Sequence, residues 1–478
     1  MPGKRVGRQA LASRNGHPSV KERAASGKAA RAKVPRRSNG MWQPSSDRPD
    51  PIGLLEEQAA TRVAELVPIR YGRMLTSPSA FYRGAALIMA SDLADTANSG
   101  IRVQLCGDAH LSNFGVFGTP ERNFVFDIND FDETHPGPWE WDLKRLAASF
   151  AVVGREQGCS AKQRTGVVAA IVREYRTAMR DFASSGNLEV WYAQLGVDRL
   201  LAALRNELGP RRTAETASAL AKARTKDSLR ALAKLTHVVD GERRIVSDPP
   251  LIVPIEELVA GPDSEELERF YRALFRGYLR TLTPDLRLLL DDYDLVHFAR
   301  KVVGVGSVGT DTWILLLLGR DDRDPLMLQA KEAGPSVLER FLGRSAYDNG
   351  GRRVVAGQRL MQAASDVCLG WDRIEQSIAG GRRDYYVRQL YDWKGTAEIE
   401  QMRPKDMASY GRLCAWTLAR AHARSGDRIA IASYVGNGDS LDGAIARFAE
   451  AYADQNELDY GAFREAVAAG RIDAKTGL

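Results

Sequence analysis

Residues 106–146 read CGDAHLSNFGVFGTPERNFVFDINDFDETHPGPWEWDLKRL. Two short apolar runs, Phe114–Phe117 and Phe124–Ile128, fit strands around a turn at Gly118–Pro120. Asp108, Asn113, Asp130 and Asp142 are spread along the stretch. Asp108 and Asn113 stand five positions apart, the D-x-x-x-x-N spacing of a phosphoryl-transfer loop. There the carboxylate accepts a hydrogen bond from an acceptor hydroxyl and the amide faces a metal ion. His110, between them, reads either as a phosphate contact or as a residue that fixes the loop. Magnesium takes one or two carboxylates with phosphate oxygens and water, and the candidates, in order, are Asp130, Asp132 and Asp127. Asp142, opening the run DLKRLAASF, reads as a helix N-cap or loop anchor.

A second patch lies far downstream. Residues 304–309 are Gly-Val-Gly-Ser-Val-Gly, and TDTWILLLLG follows at 310–319. A dinucleotide-binding turn should open a helix, whereas this sequence continues as a strand. A glycine turn between two antiparallel strands instead suits a loop that covers ATP phosphates. Gly304, Gly306, Ser307 and Gly309 would offer backbone N–H groups. Lys331, in LMLQAKEA on the next strand, would reach the α- and β-phosphates. Glu339, in PSVLERFL, is the expected carboxylate partner of Lys331, with Glu332 the alternative.

The rest of the chain bounds these readings. The 478 residues are 44% hydrophobic and 27% charged, ample for a large core. The net charge of +6 is concentrated in residues 1–46, where Glu22 is the only acid. That composition predicts a solvated, disordered tail, with weak contact to nucleic acid or an anionic surface as the rival reading. Four scattered cysteines without a CxxC pair exclude a disulfide framework or zinc site as the organising feature, and fit a reducing cytoplasm. The longest apolar run, Trp313–Leu318, is far too short to span a bilayer. Periodicity predicts helices over Ala80–Asp95, Trp141–Val153, Ala161–Ser184, Asp198–Leu208, Ala214–Leu235, Ser264–Leu282, Met407–Arg424 and Leu441–Gln455, a turn-rich break at Val239–Pro254, and strands over Val302–Leu318, Pro325–Lys331 and Tyr385–Tyr391.

These phrases resemble a known group. GDAHLSN is similar to the GDxHxxN loop of aminoglycoside phosphotransferases and other small-molecule kinases. NDFDETHPGPWEWDLKRLA is similar to their metal-binding and following helical segment, with Asp130 and Asp142 twelve apart. From about residue 51 onward the chain also resembles a bacterial family labelled only as domain of unknown function 2252. The phrases carrying that likeness are RMLTSPSAFYRG, GDAHLSNFG, VGVGSVGT, QAKEA, GQRLMQAASD and ARAHARSGD.

The kinase resemblance implies an α+β, bilobal, protein-kinase-like fold using ATP and Mg²⁺. It departs from that pattern in three ways. Cys106 stands where a polar residue usually precedes GD, and Asp132 replaces the glycine of DFG. The glycine loop follows the carboxylate loop, although a kinase has the opposite order. Either the lobes are circularly permuted or only the carboxylate half is kinase-like. In the permuted reading YYVRQLYDW is the interlobe hinge, LCAWTLARAHARSG is the helix preceding the catalytic loop, and the backbone near Arg388 pairs with adenine. The expected organisation is a tail over 1–50, a catalytic-loop half over 51–160, and a helical section over 161–295 that binds the acceptor. A glycine-loop lobe over 296–395 and C-terminal helices over 396–478 complete it. The expected activity is phosphotransfer to a hydroxyl-bearing small molecule or protein. AMP transfer and non-catalytic nucleotide binding are the alternatives.

Overall fold

The computed structural model describes residues 18–197, 213–225, 227–258, 264–302, 304, 306, 308–377, 380–390 and 393–478. Ser307, the expected helix at 198–208 and residues 391–392 of the expected hinge therefore lie outside the described residues. Helices and small antiparallel sheets share the molecule. No described helix is long and apolar enough to cross a membrane.

The N-terminal helices are α1 (Val20–Lys33), α2 (Pro51–Ala59), α3 (Val67–Met74), α4 (Pro78–Gly84) and α5 (Ala86–Ala94). α1 corrects the expectation of a disordered tail up to residue 50. Ser19 and Glu22 form a capping box, and docking supplies what the apolar content does not. A Cβ on Gly27 would lie 2.1 Å from the Ala430 carbonyl oxygen, so only glycine permits this helix crossing. Arg23 pairs with Asp427 at 2.9 Å, and Arg36 donates to the Val435 carbonyl. Beyond α1, Arg48 binds Asp92 and Asp459 with both carboxylates nearly buried. The single helix expected over 80–95 breaks at Ala85, between α4 and α5.

Strands β1 (Arg102–Leu105), β2 (Phe114–Gly118), β3 (Phe124–Ile128) and β4 (His135–Pro138) come next. β1 pairs with β4 and β2 pairs with β3, both antiparallel. α6 (Trp139–Glu156) and α7 (Ala161–Ser184) follow. Together with the helices Pro404–Ser425 and Ser440–Ala468 they enclose the largest core, which includes Trp139, Leu146, Tyr175, Leu418 and Phe448. Trp139 and Tyr175 stack there at 5.5 Å.

The section 161–295, expected to be mostly helical with a break at Val239–Pro254, also contains strands. β5 (Leu195–Gly196) joins β3, and β6 (Thr236–Val239) and β7 (Glu242–Ile245) form a hairpin in the expected turn region. β8 (Ile252–Pro254) begins a six-stranded antiparallel sheet with β9 (Asp294–Lys301), β10 (Thr312–Leu318), β11 (Pro325–Glu332), β12 (Gly370–Ile374) and β13 (Arg383–Gln389). Its order is β12-β13-β11-β10-β9-β8. β10 shows why a nearly uninterrupted apolar run is a strand here. Trp313 and Leu317 face one cluster with Tyr278 and Phe298, whereas Ile314 and Leu316 face another with Leu232 and Leu235. A sheet covered on both faces needs apolar residues at successive positions.

Candidate functional site

The loop after β1 is built from a glycine and a buried carboxylate. Gly107 has φ +84°, and a Cβ there would meet the Glu133 carbonyl oxygen at 2.1 Å. Asp142, in the first turn of α6, accepts the N–H groups of Cys106 at 2.9 Å and Gly107 at 3.1 Å. Behind it His422 Nε2 lies 3.2 Å from Asp142 Oδ2, and the Tyr175 hydroxyl lies 2.8 Å from His422 Nδ1. Asp142 is thus the loop anchor and makes no N-cap hydrogen bond. Cys106 and His422 are buried and Gly107 is half-buried, so these groups are satisfied by one another.

This anchored backbone sets Asp108. Arg145, one turn further along α6, donates from Nε to Asp108 Oδ1 at 2.5 Å and stacks over Tyr82. The Asn113 amide nitrogen donates to the Asp108 carbonyl at 2.8 Å, which leaves its Oδ1 as the oxygen available to a cation. His110 Nδ1 accepts the Ser112 N–H at 3.2 Å, and its Nε2 stands 3.6 Å from Asp108 Oδ2. Burial pushes the His110 ring down to about 3, so it is neutral. The structure supports the loop-fixing role for it.

The three aspartates expected at a metal separate into different tasks. Asp127, the third-ranked candidate, is structural. It meets Arg420 at 2.5 Å and accepts the N–H groups of Ile128 and Ala363. Asp132 is committed to protein partners through both oxygens, with Lys331 Nζ on Oδ2 and the Tyr386 hydroxyl on Oδ1, each at 2.6 Å. Among the described residues, Asp130 accepts the Asp132 N–H alone. Burial, reinforced by the charge of Asp132, raises its pKa. Among the described residues no three His, Cys, Asp or Glu side chains gather as a metal cluster. The sparse protein ligation of Mg²⁺ needs only one or two carboxylates, and Asp130 lines the cleft.

The contact between Lys331 and Asp132 spans 199 positions and brings the two sequence patches together. Burial works against the Lys331 charge, but Asp132, Tyr386 and Asp130 together outweigh it and raise the lysine's pKa. Glu339 is not the partner of Lys331, contrary to expectation. Its oxygens accept the N–H groups of Ser336 and Ser345, and Arg353 lies 3.8 Å away. Glu332 is not the partner either. It caps Asp311 N–H and pairs with Arg383. Side chains alternate along a strand, so Lys331 and Glu332 point to opposite faces of β11.

A cleft of about 670 Å³ is lined by Asp108, Asp130, Asp132, Gly306 and Thr310 among others, and the buried Lys331 reaches it only through Asp132. Arg62 closes one end of the turn by donating to the carbonyls of Val308 at 2.5 Å and Gly306 at 3.1 Å. Gly309, at φ +89°, receives the Val63 N–H on its carbonyl. A Cβ on Gly304 would meet nothing within 4 Å, so packing does not account for that glycine. Arg388, on β13, donates to the Asn129 carbonyl at 3.1 Å. Arg353, on the helix Gly350–Met361, donates to the carbonyls of Asp132, Thr134 and Gly334.

Arg62, Arg145, Arg353 and Tyr386 are contributions that the motifs alone did not expose. Arg145 had a signal, a charged residue inside the apolar run DLKRLAASF. Arg62 had none, because its contact is with a loop 246 positions away. No described residue of 161–295 lines the cleft, although that section was the expected acceptor region. Its place is taken by residues 57–87.

A family model described as "Uncharacterized protein conserved in bacteria (DUF2252)" matches residues 62–466. Neither the curated proteins nor the solved structures offer a match to the chain.

Proposed function

The chain belongs to this bacterial family, whose description carries no activity, and from the cleft we propose an ATP- and Mg²⁺-dependent phosphotransferase acting on a hydroxyl-bearing acceptor. The observation that carries the reading is the ion pair of the buried Lys331 with Asp132, which lines a cleft together with Asp108, Asp130 and Gly306. A buried lysine, an uncommitted carboxylate and an open glycine turn around one cavity are the parts that phosphoryl transfer requires.

The permuted kinase-like arrangement is supported by the chain path. β9, the glycine turn, β10 and β11 run in series, and β13 leads on toward the helix Pro404–Ser425. The end of that helix meets β1, where Gln104 N–H donates to Ser425 Oγ at 3.2 Å. β1 then delivers the Asp108 loop. The order of parts is that of a kinase read from residue 294 onward and resumed at residue 102.

In this reading the N–H groups of the glycine turn and Lys331 bind the nucleotide phosphates. Asp130 and Asn113 Oδ1 would hold Mg²⁺, which supplies charge neutralisation at the phosphates. Asp108, oriented by Arg145, accepts the hydrogen bond of the acceptor O–H. The acceptor oxygen bonds to the γ-phosphorus as the bond from phosphorus to the β–γ bridging oxygen breaks. ADP leaves with that oxygen's electron pair, and the hydroxyl proton passes by way of Asp108 to solvent. Catalysis is then positioning plus electrostatics.

Replacing Asp108 with Ala should remove turnover by a factor of about 10² or more while nucleotide affinity changes little. ATP labelled at the γ- and at the α-phosphate separates phosphate transfer from AMP transfer. Label appearing on product only from the α-position would sink the phosphotransfer reading.

A further inference from the structure

Three arginines of the cleft make no ion pair with a described carboxylate. Arg62, Arg70 and Arg83 line the cleft together. Arg70 is fully buried. Its Nη2 donates to Gln58 Oε1 at 2.8 Å and to the Gly84 carbonyl at 2.7 Å, but its Nε and Nη1 have no partner. The Nε atoms of Arg62 and Arg83 are likewise buried without a partner. The other charged groups of the cleft are mostly matched, as Glu57 is with Arg340 and Glu332 with Arg383. Among the described residues, none of the three arginines makes an ion pair.

Carboxylates act on this cluster only from a distance. Glu133 exerts the largest attraction on Arg62, but its Oε2 is taken by the Val337 N–H. Asp108 exerts the largest attraction on Arg83, and its Oδ1 is held by Arg145. Burial and the charge of Arg62 push the Arg70 guanidinium well below its usual range. Buried guanidinium groups without a paired counter-charge are unfavourable. They are retained where an anion arrives to complete them, and forked arginine donors match phosphate oxygens.

We propose that Arg62, Arg70 and Arg83 form an oxyanion subsite for a phosphate group carried by the acceptor. The acceptor would then be a phosphorylated alcohol whose free hydroxyl reaches Asp108. The word acceptor rests on the phosphotransfer reading, while the oxyanion subsite rests on the arginines alone. Lys331 already has Asp132 as its counter-charge, so the two cationic regions of the cleft differ in what they lack.

The test is calorimetric titration of the full-length chain with inorganic phosphate, with and without saturating AMP-PNP and Mg²⁺. Phosphate should bind in both conditions. Arg83→Gln, at a half-buried position, should weaken phosphate about tenfold or more and leave AMP-PNP affinity within about twofold. Arg70→Lys keeps the charge but loses the fork. It should weaken phosphate too, with an unchanged thermal unfolding curve showing that the chain remains folded. Lys331→Met should show the reverse pattern, losing AMP-PNP and keeping phosphate.

Displacement of phosphate by AMP-PNP, or equal weakening of both by Arg83→Gln, would assign the arginines to the nucleotide and overturn the proposal. No phosphate binding by the unaltered chain at millimolar concentration would overturn it as well. Arg83-dependent phosphate binding in a chain that binds no AMP-PNP would leave the oxyanion subsite standing and remove the nucleotide reading.

Discussion

The two halves of the cleft are held in different ways. The carboxylate half is tied into the main core by buried polar chains. Tyr175, His422 and Asp142 hold the loop backbone, and Arg420 holds Asp127. The glycine half hangs between two strands and is gripped mainly from outside, by Arg62 and the Val63 N–H. In the proposed reaction the first half would hold the acceptor and the second would cover the phosphates. Rigidity in the first half comes from satisfied buried groups, whose removal leaves a partner stranded.

The sharpest way to break this contrast is Asp127→Ala. It strands Arg420, which is 1% exposed. Equilibrium unfolding in denaturant should show a loss of about 3–5 kcal/mol. A loss below about 1 kcal/mol would mean that the carboxylate half is not rigidly held.

Asp132→Asn comes next. A quarter of the Asp132 side chain is exposed, while Lys331 is almost fully buried. Solvent reaching the aspartate lowers the expected loss to about 2–3 kcal/mol. In a double-mutant cycle with Lys331→Met the two positions should couple by about 1 kcal/mol or more. Independent, additive effects would separate the two patches again.

His110 supplies a pH-dependent test of the same half. The folded ring titrates at about 3 and the ordinary ring at 6.5. The unfolded chain therefore binds more protons between those values, so stability rises with pH across the window and falls as pH drops below about 6.5. Between pH 7 and 5 this group should cost about 2 kcal/mol. His110→Gln should remove that part of the slope in parallel denaturant titrations, and identical slopes in both chains would contradict the buried neutral ring.

The smallest effect belongs to the glycine half. Arg62→Gln should cost about 1 kcal/mol of global stability. Limited proteolysis should nevertheless accelerate between residues 302 and 310, because local opening needs only the loop to detach. Unchanged cleavage there would show that Arg62 does not govern the turn.

Much of the carboxylate half is legible in the sequence because its logic is local. GDAHLSN, FVFDI and DLKRL follow one another, and the strands Phe114–Gly118 and Phe124–Ile128 and the helix Ala161–Ser184 lie within a residue of where periodicity puts them. The partner of Lys331 is not legible in the same way. A kinase pattern points to a helical glutamate, but the helix Gly350–Met361 offers Arg353 to backbone carbonyls instead. Asp132, across the cleft, then supplies the charge. Strands β8, β9 and β12 escape notice because they are short or lie beside helical sequence. α1 escapes because its order comes from Gly27 and four hundred intervening residues, not from its own composition.

The meeting of Ser425 with Gln104 has a further consequence. Gly426 also approaches β1 so closely that a Cβ would lie 2.9 Å from the Arg102 carbonyl oxygen. A re-cut polypeptide running from Ser425 into Arg102 through a short linker, and opened ahead of Asp294, would have to span almost no distance at that joint. Synthesis from a ribosome would then present the glycine turn before the carboxylates, and the cavity would keep Asp108, Asp130, Asp132 and Gly306 while losing the lining that residues 57–87 supply. The meeting of the glycine and carboxylate sides therefore depends on which surfaces touch rather than on their order along the chain.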